Sequence, residues 1–304
     1  MTTQTHPLDL AGRSVLLATD GSPAAQAATL FAAALAKRYD ARIHVVTVVD
    51  TSPAPIPPPL DMALAMADAA GGQGVHERQL EALRRMISET TQQSCDWPAR
   101  VKLGTPAHAI AKEAKRLGAV LVILGLRRHG MLDRAINDET VLGVIRSAAC
   151  PVLGVTPHTA GLPQRIVAAV DFSSASLEAA RAASAVAGDE SSLVLTYVPP
   201  VMAYVPGDGE GVIHELGTQV GLERTTAELA RPGLSVEHVV LPHELSHTVP
   251  KLLLDYAEGT HADLIAAGSA RHSRLDRWMI GSVSTDLVRD GRTSVLIVPP
   301  RPVH

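Results

Sequence analysis

Residues Asp263–Pro299 read DLIAAGSARHSRLDRWMIGSVSTDLVRDGRTSVLIVP, and this stretch decides the fold. A short apolar run ends in Gly268, a polar loop follows, Gly281 and Ser282 open an amphipathic segment, and Ser294–Val298 is a second apolar run. This order predicts a strand, a loop, a helix and a second strand. Glycine lets a backbone approach a ligand closely, and small residues at a helix start leave N–H groups that favour an anion. The stretch therefore predicts an anion-binding loop inside an α/β unit.

The same pattern occurs earlier in the chain, in Val120–Val155. The two stretches align without a gap at a constant offset of 143 residues, so that Gly125 takes the position of Gly268. Both copies contain the pattern R-H-x-x-L-D-R, which begins at Arg128 and at Arg271. An internal repeat of this length indicates two copies of one structural unit.

Strands alternate with helical patterns in both halves, which predicts right-handed β-α-β units and a parallel sheet. We therefore expect two tandem α/β domains, residues 1–159 and 160–304, each an open five-stranded parallel sheet with helices on both faces. The chain is expected to pass between them within 156–164. Ligands bind beyond the carboxyl ends of the strands, where the winding direction reverses at the first strand. Asp20 and Asp171 end the two first strands and should face the glycine loops there.

The composition limits the partners and the compartment. The chain has 304 residues, a formal net charge of −4 and no basic tract, so we expect no nucleic-acid partner. Two unclustered cysteines indicate a reducing compartment. The N-terminal residues show no signal-peptide pattern, and no apolar run is long enough to cross a bilayer. We therefore expect a cytoplasmic protein with no membrane partner.

The spacing G-x2-R-x9-G-S in residues 268–282 resembles the nucleotide loop of the universal stress protein family, usually G-x2-G-x9-G-S/T. Arg271 stands where that family has its second glycine. The segments 170–179 (VDFSSASLEA), 262–265 (ADLI) and 295–298 (VLIV) also match its pattern. The resemblance covers nearly the whole chain, twice. It implies an adenine-nucleotide α-hydrolase-like fold with strand order 3-2-1-4-5 and pairing of the two halves through strand five; a homodimer is left open.

The resemblance also implies a function. We expect a stress-response protein that binds ATP or a related adenine nucleotide, mainly in the second domain, and that acts as a regulator or sensor. Mg²⁺ or Mn²⁺ would enter only with the phosphates. No catalytic residue and no resident metal site are expected, although slow ATP hydrolysis stays open. The implied nucleotide-binding residues are Ala169, Val170, Asp171, Val198, Gly268, Arg271, Gly281, Ser282, Val283 and Ser284.

Several of these residues also have a purely structural interpretation. Asp171 would accept a hydrogen bond from the adenine or ribose, or would only shape a turn before Ser173. Val198 would pack on the base, in the core, or both. Gly281 and Ser282 would cradle phosphate, or form an ordinary helix cap. Arg271 would clamp a phosphate, fill the phosphate position, or lie on the surface.

The first domain has a weaker version of the site, composed of Asp20, Val48, Gly125 and Arg128. There Asp138 and Glu139 align with Gly281 and Ser282, and carboxylates suit the start of a helix that caps itself. Two unit charges about 4 Å apart repel by roughly 4 kcal/mol at an effective dielectric of 20. We therefore expect the first site to be empty or to take a less anionic ligand.

Residues 243–247 read HELSH and fit the zinc-protease pattern H-E-x-x-H. That chemistry needs both histidines on one helical face. Pro242 precedes the motif and Pro250 follows it, so we expect a loop between a strand and a helix, and no zinc catalysis. His247 also stands at the position of Gly104 in the first half.

Two other functions remain open at this stage. One is a nucleotide-free scaffold that works through an unknown protein partner, with Arg128 and Arg271 filling the crevices. The other is a site for a different small anion in the Arg/His/Asp loops.

Overall fold

The structure, a computed structural model, describes residues 8, 10–50, 73–93, 95–126, 134–159, 161–200, 209–242, 247–269 and 281–300. In the first half the elements are β1 (Ser14–Ala18), α1 (Pro23–Tyr39), β2 (Arg42–Val49), α2 (Gln73–Thr91), β3 (Ala99–Leu103), α3 (Pro106–Leu117), β4 (Leu121–Gly125), α4 (Arg134–Ser147) and β5 (Val152–Val155). In the second half they are β6 (Arg165–Ala169), α5 (Ser174–Val186), β7 (Ser191–Tyr197), α6 (Gly209–Leu229), β8 (Leu234–Val240), α7 (Val249–Gly259), β9 (Leu264–Gly268), α8 (Ser282–Asp290) and β10 (Ser294–Val298).

The strands form one ten-stranded sheet in the order β3-β2-β1-β4-β5-β10-β9-β6-β7-β8. Each half is parallel throughout and has the order 3-2-1-4-5, as expected from the family resemblance. The two five-stranded sheets join edge to edge, because β5 pairs antiparallel with β10, with Leu153 opposite Leu296. The fifth strands therefore have no free edge, and the pairing that the resemblance implied occurs within one chain.

Helices cover both faces of the sheet. The apolar cluster on one face includes residues of α1, α2, α5 and α6, and the cluster on the other face includes residues of α3, α4, α7 and α8. We call these the first face and the second face. Among the described residues, the buried core consists mainly of Ala, Val, Leu and Ile, with Phe31 fully buried in the first face. A low aromatic content is thus compatible with a continuous core.

The first helix of each half begins in the same way. Ser22 and Ser173 are the N-caps of α1 and α5, and each hydroxyl accepts a hydrogen bond from the backbone N–H three residues later at 3.2 Å. Such caps satisfy one of the N–H groups that a helix start leaves without an intrahelical partner. The turns that end β1 and β6 are therefore held in a fixed shape.

One predicted boundary is wrong. The helix expected to begin at Asp138 begins at Arg134, so Asp138 and Glu139 lie in the second turn of α4 and not at its start. Residues Arg134–Asn137 contain no proline or glycine, and nothing in their local sequence stops the helix from extending towards the N-terminus. The carboxylates therefore do not cap this helix.

Candidate functional site

The carboxyl ends of the second-half strands open into a crevice of about 240 Å³. Strands β6 and β9 are neighbours in the sheet, so the turn after β6 and the end of β9 meet there. The first turns of α7 and α8 complete the walls. Nine of the ten predicted second-domain residues line this crevice: Ala169, Val170, Asp171, Val198, Gly268, Gly281, Ser282, Val283 and Ser284. The tenth, Arg271, lies outside the described residues.

Five further residues line the same crevice and were not predicted: Ser176, Thr196, Val249, Leu253 and Ala267. Thr196 precedes Val198 by two positions, and alternation along a strand places both on one face. That signal was available in the sequence. Leu253 carried no such signal, because its helix reaches the crevice only through the packing of α7 on the sheet.

The N-terminus of α8 forms one wall. Gly281 is the N-cap, with φ −62° and ψ 158°, and as a glycine it supplies no side-chain hydrogen bond to the helix start. The hydroxyl of Ser284 donates to the carbonyl of Gly268 at 3.4 Å, and that of Thr285 donates to the carbonyl of Gly281 at 3.1 Å. These hydroxyls are therefore directed at carbonyl oxygens. Residues Gly281 to Ser284, which form the start of α8, line the crevice. The first N–H groups of a helix have no partner within it, and a helix start in a crevice favours an anion.

Asp171 shapes the turn at the opposite wall. One carboxylate oxygen accepts a hydrogen bond from the N–H of Ser173 at 2.9 Å, and the N–H of Asp171 donates to the Ser176 hydroxyl at 3.2 Å. Partial burial disfavours the charged carboxylate, but the hydrogen bonds outweigh it and lower the pKa of Asp171 below its ordinary value. The turn role that the sequence suggested is therefore present, and Asp171 is a charged acceptor at the crevice.

Gly268 has a structural role besides any approach to a ligand. A Cβ atom there would lie 2.5 Å from both the carbonyl carbon of Ala175 and the nitrogen of Ser176, in the first turn of α5. Gly125 has the same relation to α1, with a Cβ only 2.6 Å from the carbonyl carbon of Ala24. The glycine that ends the fourth strand is therefore required by helix packing in both halves.

The first half has a matching crevice of about 250 Å³. Three predicted residues line it, namely Asp20, Val48 and Gly125, and the fourth, Arg128, lies outside the described residues. Asp50 and Thr140 also line it and were not predicted. Asp50 directly follows the second strand of its half, where the second half has Pro200, so the first crevice carries an additional carboxylate.

Glu139 does not act as the sequence suggested. Glu139 is not among the crevice-lining residues; it forms ion pairs with Arg289 of α8 at 2.7 Å and with Arg146 at 3.7 Å. The side chain of Asp138 lies outside the described residues. Since α4 begins four residues before Asp138, the N–H groups that align with the start of α8 lie inside a helix and are bonded within it. Among the described residues, the first crevice therefore has no counterpart to the start of α8.

The H-E-x-x-H motif does not lie on one helix. His243 to Ser246 are outside the described residues, but His247 precedes Thr248, the N-cap of α7. The second histidine is therefore not a helical residue, and the zinc-protease geometry is not formed. Among the described residues no group of three or more His, Cys, Asp or Glu could hold a metal ion. Within the same residues, no helix is both long and apolar enough to span a membrane.

The comparisons with known proteins agree with this fold. The family model of the universal stress protein family matches residues 12–156 and 163–299. The chain therefore belongs to the universal stress protein family and carries its domain twice. Members of this family are stress-response proteins and are generally not enzymes.

A universal stress protein of Methanocaldococcus jannaschii is 26% identical over 147 residues, which are 47% of this chain and 81% of that protein. A crystal structure of a universal stress protein from Archaeoglobus fulgidus has a TM-score of 0.63 at 19% identity, covering 95% of this chain and 98% of that chain. A protein of Pseudomonas aeruginosa has a TM-score of 0.58 at 17% identity, covering 95% and 92%. These two structures share the tandem fold.

Proposed function

We propose that the second crevice binds ATP or a related adenine nucleotide and that the protein acts as a regulator or sensor in the stress response. The observation that carries this proposal is one crevice that is lined both by a helix start whose N-cap is a glycine and by the charged acceptor Asp171. The N–H groups of α8 would hold the phosphates, and Asp171 would accept from the adenine or ribose. Val198 would pack on the base. Mg²⁺ or Mn²⁺ would enter with the phosphates, and an unidentified protein partner would receive the signal.

By the same reasoning, the two domains differ in how well the nucleotide loop is preserved. We assign residues 1–159 to a domain with a degenerate nucleotide loop and residues 160–304 to a domain with a better preserved one. The difference lies in the helix start, because α4 extends past the position at which α8 begins. We therefore expect at most one ATP per chain in titration calorimetry.

A pair of substitutions at Gly281 tests the site. Asp and Asn are both good N-caps, and φ at this position is negative, so both variants should fold. Gly281→Asp adds a negative charge beside the phosphates, which costs roughly 4 kcal/mol at about 4 Å and an effective dielectric of 20. That corresponds to a loss of affinity of about 1000-fold. Gly281→Asn keeps the cap without the charge and should lose less than about tenfold.

Three outcomes would contradict parts of this proposal. Two equivalent ATP sites would refute the difference between the domains. Equal affinities of the Asp and Asn variants would show that the start of α8 does not hold phosphate. If the parent binds no ATP, the nucleotide-free scaffold is favoured, and Arg271→Gly becomes informative. Binding restored by that variant would identify Arg271 as a side chain that fills the phosphate position.

A further inference from the structure

The turn after β6 contains a strained residue. Phe172 has φ +62°, in the left-handed region that residues other than glycine seldom adopt. The equivalent residue of the first half is Gly21, with φ +77°, where this conformation carries no steric cost. The second half thus keeps a bulky side chain in a conformation for which the first half uses glycine.

The strained conformation determines where the neighbouring groups point. In both halves it turns the chain so that a backbone N–H donates a hydrogen bond to the carboxylate two residues earlier. The N–H of Ser22 donates to Asp20 at 2.9 Å, and the N–H of Ser173 donates to Asp171 at 2.9 Å. The turn itself therefore does not need phenylalanine. The ring must have a separate role.

Phe172 is not among the residues that line the crevice, and its ring has contacts of its own. A Cβ atom at Gly221 of α6 would lie 2.6 Å from ring atom Cε1, so the ring fills the space left by that glycine. The ring centroid is 5.4 Å from that of Tyr197, with the planes at 43°. Phe172 packs against the core of the first face, whereas Val198 in the crevice packs against the second. The ring therefore anchors the turn without lining the crevice.

We propose that Phe172 is a positioning residue for the second crevice: its ring, wedged against Gly221 and Tyr197, holds Asp171 where it meets the nucleoside part of the ligand. This deepens the function proposed above and rests on it. Backbone strain persists only where the surrounding structure enforces it, and such residues concentrate at binding sites. The start of α8 does not depend on this wedge, so the phosphate part of the ligand should be unaffected.

Two substitutions in α6 test whether the contact of this helix with the Phe172 ring holds the turn. Gly221→Leu places a side chain in the space of the Phe172 ring. Gly217→Leu is its matched control, one turn earlier in the same helix, where nothing lies within 4 Å of an added Cβ. Both changes raise helix propensity equally.

Two substitutions at Phe172 itself test the ring directly. Phe172→Asn keeps a residue that tolerates the left-handed region but removes the ring, and Phe172→Tyr keeps the ring. Phe172→Asn decides the question if Gly221→Leu does not fold.

The first measurement needs no ligand. Amide hydrogen exchange at Ser173 reports the hydrogen bond from its N–H to Asp171. We expect exchange at least about tenfold faster in Phe172→Asn and Gly221→Leu, and unchanged in Phe172→Tyr and Gly217→Leu. Unchanged exchange in Phe172→Asn would overturn the proposal.

The second measurement separates the two parts of the ligand by NMR titration with adenosine and with inorganic tripolyphosphate. In Phe172→Asn, the Kd for adenosine should rise at least about tenfold, whereas the Kd for tripolyphosphate should stay within about twofold of the parent value. Phe172→Tyr should bind adenosine as the parent does. Equal weakening of both ligands would indicate a general structural role and overturn the proposal. If the parent binds neither ligand, the proposed function fails, and the Ser173 exchange alone decides whether Phe172 holds the turn.

Discussion

Gly125 and Gly268 show how a single residue determines the distance between a helix and a strand. Each glycine ends the fourth strand of its half beneath the first turn of a helix, and an added Cβ would contact backbone atoms at 2.6 Å or less. Backbone atoms cannot rotate away as the end of a side chain can. A methyl group at either position must therefore move the helix.

A substitution at each glycine tests this point. Gly268→Ala and Gly125→Ala should each lower the free energy of unfolding by about 2–3 kcal/mol, the upper range for overpacking, because the obstructing atoms are backbone. Gly259→Ala is the control, since nothing lies within 4 Å of its added Cβ. Urea denaturation followed by circular dichroism measures all three. If Gly268→Ala is as stable as Gly259→Ala, the close approach of α5 is not a packing requirement.

At the scale of elements, the edge strand β3 is tied to α3 by one buried carboxylate. The Glu113 side chain is 4% exposed and pairs with Arg116 at 2.7 Å, Lys102 at 3.4 Å and Arg100 at 3.6 Å. The hydrogen bond from Arg116 is the main reason that the pKa of Glu113 lies below its ordinary value. At the aligned position the second half has Tyr256, so this ionic link is specific to the first half.

The Glu113 link predicts a pH dependence of stability. A lowered pKa in the folded state adds stability that is complete above the ordinary value of 4.5 and is lost as pH falls through the folded value. Glu113→Gln should lower the free energy of unfolding by about 1–2 kcal/mol at pH 7, a modest figure because Arg116 is half exposed and water screens the pair. That difference should shrink as the pH falls below 4.5, because the carboxylate of the folded protein is then protonated progressively.

Glu81→Gln is the control for the pH experiment. Glu81 pairs with Arg85 at 3.5 Å, and both side chains are exposed, so its loss should be nearly neutral at every pH. Urea denaturation at each pH measures both variants. A Glu113→Gln difference that is constant with pH would show that the ionised carboxylate is not the stabilising species.

At the scale of the whole molecule, a seam of contacts joins the two halves. The β5–β10 pairing is continued by a cluster of hydroxyls, in which Ser294 accepts a hydrogen bond from the N–H of Thr156 at 3.1 Å and contacts the Thr159 hydroxyl at 2.6 Å. On the first face, the Tyr39 hydroxyl donates to the carbonyl of Ala185 at 2.7 Å. The seam therefore contains hydrogen bonds that join buried or partly buried groups of the two halves.

Ser294→Ala tests the seam. It leaves the buried N–H of Thr156 without its acceptor, and an unsatisfied buried donor costs about 1–3 kcal/mol. Thr159→Val is the matched control, because it removes a hydroxyl contact and orphans no backbone group; it should cost less than about 1 kcal/mol. Urea denaturation followed by circular dichroism measures the difference. Equal costs would show that the Thr156 N–H is not dependent on Ser294.

The order of strands and helices follows from the sequence alone, because periodicity and breaking residues act between near neighbours. The bounds of β10 match the apolar run that was predicted to be a strand, and the gap-free repeat of Gly125 and Gly268 indicates the duplicated unit. Membership of the universal stress protein family, expected from the same motifs, is confirmed. The predicted start of α4 at Asp138 is wrong because nothing in the local sequence marks the true start at Arg134.

Only the tertiary structure decided what distant residues do to each other. Glu139 pairs with Arg289, 150 residues away in the chain, and does not line the crevice that its sequence position suggested. Asp50 reaches the first crevice because β2 ends there, and the ring of Phe172 lies in the space that Gly221 of α6 leaves. The physical reason is the same in each case. Local sequence determines backbone preference, whereas burial, charge pairing and tolerated strain depend on which surfaces the folded sheet brings into contact.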